Sequence, residues 1–230
     1  MKIRFGTSVI VAVGICLCGA LAFAQDGASD RGAVELGLRV GYGLPAGHEG
    51  ETATDVSNTS VSSDVSGIVP IIVDAGYRFV PNFYLGLSFQ YAPGFVNSDQ
   101  NPGCSQSGVS CSATDLRLGL NAHYHFAPGQ SFDPWLGLGI GYEWMLISVD
   151  TGLGSADGTV SGFEFANFQL GGDVAVTPDF GLGPFLSVSL GEYNGISTSG
   201  ATTSVDMDIT NKSVHEWFLF GVRGVYDIKL

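Results

Sequence analysis

The stretch LRLGLNAHYHF, Leu116 to Phe126, runs through the turn Ala127-Pro128-Gly129-Gln130 into FDPWLGLGIGYEW, Phe132 to Trp144, and it decides the fold. On both sides of the turn every second residue is apolar. Leu116, Leu118, Leu120, Ala122, Tyr124 and Phe126 share one parity; Asp115, Arg117, Gly119, Asn121, His123 and His125 share the other. Beyond the turn, Leu136, Leu138, Ile140, Tyr142, Trp144 and Leu146 alternate with Trp135, Gly137, Gly139, Gly141, Glu143 and Met145. A strand sends successive side chains to opposite faces, so this is a hairpin with one apolar face and one polar, glycine-rich face.

The unit recurs along the chain. Phe79-Val80-Pro81-Asn82-Phe83 and Val176-Thr177-Pro178-Asp179-Phe180 are further short Pro turns between alternating runs. The alternation predicts strands over about 33–44, 67–80, 82–91, 113–126, 132–148, 159–176, 180–192 and 213–230. In the sixth, Phe163 and Phe165 lie in one parity and Phe168, Leu170, Val174 and Val176 in the other, so a one-residue bulge is expected near Ala166-Asn167. Pro70 and Pro184 stand where a ladder donor is needed, so irregular pairing is expected at both. Four long polar loops, about 45–66, 93–112, 150–158 and 193–212, alternate with the short turns and are expected to be solvated and mobile. Short turn, long loop, and an even number of strands describe a closed eight-stranded antiparallel up-and-down transmembrane β-barrel of the all-β class.

The chemistry of the two faces sets their direction. A soluble barrel with an apolar interior needs a charged exterior. Here the polar face is rich in glycine and sparse in charge, which suits a crowded lumen, and the aliphatic face suits lipid. Phe79, Phe83, Tyr124, Phe126, Phe132, Phe180 and Tyr226 fall at the short-turn ends of strands. Tyr42, Tyr91, Tyr142, Trp144 and Phe218 fall toward the long loops. The two sets are the aromatic belts expected at two membrane interfaces. The short turns then face the periplasm and the long loops the outside.

On this architecture, with Val34–Leu44 and Phe218–Leu230 its nearest approach to a recurrent signature, the chain resembles the small eight-stranded outer-membrane barrels, the group of the OmpA transmembrane domain and the OmpX and OmpW families. The resemblance implies a bacterial outer-membrane location, assembly by the barrel-assembly machinery and a monomer in outer-membrane lipid. It also implies a role that is structural, interactive or transporting. Such barrels commonly end on an aromatic residue; this chain ends Asp227-Ile228-Lys229-Leu230.

The N-terminus reads as a secretory signal. Lys2 and Arg4 precede an apolar stretch from Val9 to Ala22, and Ala22-Phe23-Ala24 fits a cleavage site, giving a signal over 1–24 and a barrel domain over 25–230. The whole chain has 9 Lys+Arg and 22 Asp+Glu; without Lys2 and Arg4 the remainder carries 7 against 22, a net charge of −15. That balance excludes nucleic acid as a partner. Cys104 and Cys111 share one polar loop in an oxidising compartment and are expected to form a disulfide. No His or further Cys lies near them in sequence to complete a metal site.

The inward parity collects Glu35, Arg39, Asp74, Arg78, Asp115, Arg117, Glu143, Glu164, Asp173, Arg223, Asp227 and Lys229. Buried charges must pair, so these residues are expected to form a salt-bridge network that fills the lumen; a polar solute pathway is the other reading. Thirteen inward glycines, Gly137, Gly139 and Gly171 among them, either make room for large neighbours such as Trp135, Phe185 and Trp217 or leave a water-filled cavity. His123 and His125 point one way, but a metal pair needs a third ligand; they are read as polar lumen residues, and no metal and no cofactor is expected. His48, His215, Ser213, Glu216 and Glu192 are the residues from which a hydrolytic set could be drawn, and nothing ties them together, so no enzyme is expected. The reading is an integral outer-membrane barrel with a plugged lumen and a structural or interaction role. The alternative is a narrow channel or lateral-exit carrier for small, including hydrophobic, molecules; a lipid-modifying enzyme ranks last.

Overall fold

The computed structural model describes residues 32–52, 59–152, 154–200 and 204–229. The expected signal and its cleavage site, and the final Leu230, lie outside these residues. In chain order the elements are β1 (Ala33–Gly47), β2 (Glu51–Thr52), α1 (Val61–Asp64), β3 (Val65–Ile68), β4 (Ile71–Val80), β5 (Phe83–Val96), a 3-10 turn (Pro102–Ser105), β6 (Ser110–His125), β7 (Phe132–Asp150), β8 (Ser155–Thr177), β9 (Phe180–Ser199), β10 (Ser204–Asn211) and β11 (Val214–Lys229).

Eight positions form the ring, with β3 and β4 sharing one. Each strand pairs antiparallel with its successor, and β1 closes on β11 from Ala33↔Lys229 to Gly47↔His215. Closure removes the sheet edges, the condition for a strand-built structure to sit in lipid. The apolar parity turns outward: Leu87 and Leu138 are each 59% exposed, and Leu38, Val73, Phe89, Leu118 and Phe220 share that surface. Tyr77–Phe79 and Tyr124–Phe126 pack edge to face near the short turns, with ring centroids 5.0 and 5.1 Å apart. Tyr142 and Trp144 lie 4.7 Å apart toward the other end.

All three expected irregularities are present, the third without a bulge. The β8–β9 register shifts between Glu164 and Ala166, which moves the inward parity from Glu164 to Gln169. Strand pairing breaks at Val69-Pro70, separating β3 from β4, while the Pro70 carbonyl still accepts from Gly41 N–H at 3.2 Å. At Pro184 the pairing with β8 is interrupted without a bulge, since neither Pro184 nor Gly183 is paired to it. The register is the same on both sides of it, Gly171↔Phe185 and Val174↔Leu182, and Val222↔Pro184 pairs on the other flank. Proline has no N–H to donate, and the gap in the ladder accommodates it without a change of register.

Among the described residues, parts of the expected loops are strand. β8 has 23 residues, about twice the ~9–11 that cross a bilayer. β7, β8 and β9 therefore continue well past the membrane. β10 folds back on the end of β9 with Met207↔Ile196, and Ile209 pairs with Thr52 of β2. Much of 193–212 is thus sheet rather than solvated loop. Its inward apolar residues explain this: Ile209 is buried with Val61, Val65, Ile68, Met145, Val160 and Tyr193 in one cluster. That cluster caps the long-loop end of the lumen. Cys104 and Cys111 are joined, Cα atoms 5.6 Å apart, tying the 3-10 turn to the start of β6.

Candidate functional site

The lumen is organised around four arginines, each surrounded by acceptors from several strands. Nearest the long-loop end, Arg117 reaches Asp115 at 3.2 Å, Glu143 at 3.2 Å, Glu164 at 2.9 Å and Ser189 Oγ at 3.1 Å. Glu143 also accepts from Tyr193 Oη at 2.7 Å and Trp217 Nε1 at 3.0 Å, and lies 3.2 Å from His215 Nε2. Gln90 donates to Asp115. At mid-height Arg39 grips Asp74 with two nitrogens at 2.8 and 2.6 Å and donates a third bond to Gln169 Oε1 at 3.0 Å. Toward the short turns, Glu35 is shared by Arg78 and Arg223, and Arg223 also holds Asp173. Asp227 stands 3.8 Å from Arg78 at the mouth.

Three of these arginines lie over aromatic rings: Arg117 over Trp217 at 5.8 Å, Arg39 over Phe185 at 5.6 Å, and Arg223 over Trp135 at 4.8 Å. Guanidinium suits such a place because it is weakly hydrated and forks to two carboxylate oxygens. Lys229 does not belong to this set. It is exposed and pairs with Asp179 at 2.6 Å on the rim.

The inward glycines make space. A Cβ at Gly86 would lie 2.0 Å from Tyr84 Oη, one at Gly139 would lie 2.2 Å from Asn121 Oδ1, and those at Gly171 and Gly137 would lie 2.5 Å from Trp135 and 2.7 Å from His123. Large inward groups occupy the volume that those positions lack. At mid-height a cavity of about 20 Å³ is bordered by Arg39, Gln90, Arg117, Asn121 and Gln169. That is room for about one water. Below it, at the short-turn mouth, a cavity of about 320 Å³ opens among Arg78, Asp133, Asp173 and Asp227.

Of the residues considered for hydrolysis, His215, Glu216 and His48 face different surroundings. His215 turns into the lumen onto Glu143, whereas Glu216, next in the chain, takes the opposite parity; His48 bridges to Ser60 in the loop after β1. Conversely, several lumen partners went unassigned in the sequence. Gln169 sits beyond the bulge, Tyr193 in a segment read as loop, and Asp133 at a strand start. Asp133 shares the parity of Trp135, and that signal was available. His125 Nδ1 lies 2.8 Å from Asp133 Oδ2, and His123 is stacked between Tyr84 and Trp135, each at 4.8 Å.

A closed ring of eight strands, apolar outside and charge-paired inside, defines a transmembrane barrel. The profile of the outer membrane protein beta-barrel domain family matches residues 10–215, and the chain belongs to that family; its place is the bacterial outer membrane. Among solved structures it is similar to the outer membrane protein AlkL in lipid bilayers, at 16% identity, TM-score 0.53, 90% of this chain and 95% of that one. It is also similar to OprG from Pseudomonas aeruginosa, at 12% identity, TM-score 0.50, 87% of this chain and 98% of that one. Neisserial surface protein A aligns at 17% identity and TM-score 0.41, covering 89% of this chain and all of the other. At these identities the likeness concerns the fold. No curated protein matches the chain.

Proposed function

We propose that this protein is a non-conducting, non-catalytic outer-membrane barrel with a structural or interaction role. Its lumen is plugged, and its continuous β-extension serves as the outward-facing surface. The observation that carries this reading is the mid-height closure: about 20 Å³ of open space between Arg39 and Arg117, with paired charge on both sides. An apolar cluster around Val61, Val65 and Ile209 closes the long-loop end above it. A solute would have to part several buried ion pairs to pass. The barrel is monomeric and contacts lipid through its aliphatic band.

The alternative, a narrow channel or lateral-exit carrier, would draw on the apolar upper lumen, but that region is filled by side chains. Planar-bilayer recording of the refolded protein tests the reading. A baseline without discrete openings at applied voltages is expected. Reproducible single-channel steps that disappear on omission of the protein would overturn it.

A further inference from the structure

We infer that the short-turn half of the lumen holds a binding site for one divalent transition-metal ion of the zinc and copper class, with His123, His125 and Glu35 as ligands. One ring nitrogen from each imidazole and a carboxylate oxygen of Glu35 lie within 4.8 Å of one another, and all three residues are at most 1% exposed. A tetrahedral ion with bonds of ~2.0–2.1 Å holds its ligand atoms ~3.3 Å apart, so movements of about 1 Å complete the site. Two imidazoles and a carboxylate form a donor set suited to such an ion, which keeps an open position for water.

The hydrogen bonds around the imidazoles leave each with one nitrogen free to ligate. Arg39 can only donate, so the Gln169 atom it meets at 3.0 Å is the oxygen. Gln169 Nε2 in turn donates to Asn121 Oδ1 at 2.9 Å, which agrees with that orientation. The same Gln169 oxygen faces His123 Nε2 at 3.2 Å, so Nε2 carries the proton and Nδ1 carries the lone pair. His125 Nδ1 donates to the Asp133 carboxylate at 2.8 Å, so its Nε2 carries the lone pair. Those two nitrogens, His123 Nδ1 and His125 Nε2, are buried and have no hydrogen-bond partner. A carboxylate or amide oxygen behind each ligating imidazole is the usual outer support of a metal-bound histidine.

Charge balance and access agree. Glu35, Asp133, Asp173 and Asp227 face Arg78 and Arg223 in this half of the lumen, four acidic groups against two basic ones. A divalent cation makes up that difference. Glu35 Oε2 accepts two bonds from Arg78, whereas Oε1 accepts one from Arg223 and keeps a lone pair for the ion. The mouth cavity, bordered by Asp133, Asp173 and Asp227, leads an ion to the support of His125.

The test uses the refolded full barrel, stripped with chelator and titrated with Zn2+ alone. Calorimetry is expected to give one ion per chain. The chain has 4 histidines, and 15N-histidine spectra of the unmutated barrel should show His123 and His125 moving on saturation while His48 and His215 stay in place. H123N and H125N should each lower affinity at least 100-fold, and D133N about 10- to 100-fold, with the heat-dependent gel shift retained. The absence of binding, or a spectral change confined to His48 or His215, would overturn the proposal without touching the conductance result. So would affinity unchanged in folded H123N and H125N. The wild-type spectrum decides the matter even where a variant fails to fold.

Discussion

Replacing Arg117 by methionine separates a dry lumen from a hydrated one. Methionine keeps an unbranched stem against Trp217 and removes only the charged head, so little packing is lost. Among the described residues, Arg117 is the one guanidinium within 3.2 Å of Asp115, Glu143 and Glu164, and it is 5% exposed. Removing the cation from a buried pair costs about 3–5 kcal/mol because a desolvated carboxylate is left uncompensated; here three are left. At ~1.36 kcal/mol per decade, 3 kcal/mol corresponds to about a 150-fold fall in the folded-to-unfolded ratio. If the lumen were a water-filled path, the same pairs would be worth about 0–1 kcal/mol, at most about a fivefold change. Guanidinium unfolding of the barrel in phosphocholine vesicles, followed by tryptophan fluorescence and gel mobility, measures the difference. R117M should lose at least ~3 kcal/mol, and E164Q in the R117M background should recover part of the loss by removing one unpaired charge. R117M within ~1 kcal/mol of wild type, with folding intact, would refute the dry-lumen argument and the plugged reading built on it.

Three further outcomes are expected. G171A should reduce refolding yield and stability, because its Cβ would lie 2.5 Å from Trp135, whereas G195A, whose nearest atom would be 3.8 Å away, should match wild type in the same unfolding assay. Glu49, in the loop beyond β1, has a carboxyl raised to about 8 by burial and then by the adjacent Asp64 carboxyl. The folded loop therefore favours the protonated acid. This contribution is fully present below the unfolded value of about 4.5 and is lost as pH rises toward about 8. Amide protection of Glu49, bonded to the Thr59 carbonyl at 2.9 Å, should fall over that range in wild type, after correction for intrinsic exchange, and stay level in E49Q. Reducing and alkylating Cys104 and Cys111 should leave the heat-dependent gel shift unchanged, since the crosslink lies in a loop, and should speed protease cleavage between Asn97 and Ser110.

The strands were legible because their signal is local. Leu116 to Phe126 states its period within eleven residues, and Phe163, Phe165 and then Phe168, Leu170 state a parity change within eight, which is enough to locate a bulge. The inward residues could be named for the same reason. Their partners could not. Arg223 and Glu35 are 188 residues apart, and Arg39 and Gln169 are 130 apart. Which inward groups meet across the lumen depends on strand tilt and stagger around the closed ring, a property of all eight strands together. Lys229 shows the limit: its parity is inward, yet at the last turn of the barrel there is no lumen left to enter.

Composition misled where parity would have served. The segment 193–212 is rich in Ser, Thr and Asp, and that richness reads as solvated loop. Within it Val205, Met207 and Ile209 keep a period of two, and Ile209 is buried in the cluster that closes the lumen. A polar strand that leaves the bilayer no longer needs an aliphatic outer face, because water replaces lipid there; only its inward residues must stay apolar. The alternation therefore thins to one residue in two on one side, against a polar background, and counts of polar residues hide it. The same reasoning explains the glycines. Inward glycine suggested either a void or room for a neighbour, and the answer lay on the facing strands. Tyr84, His123 and Trp135 take the space of Gly86, Gly137 and Gly171, and by filling it they bring two imidazoles and the shared carboxylate of Glu35 together at the short-turn end of a lumen that is otherwise closed.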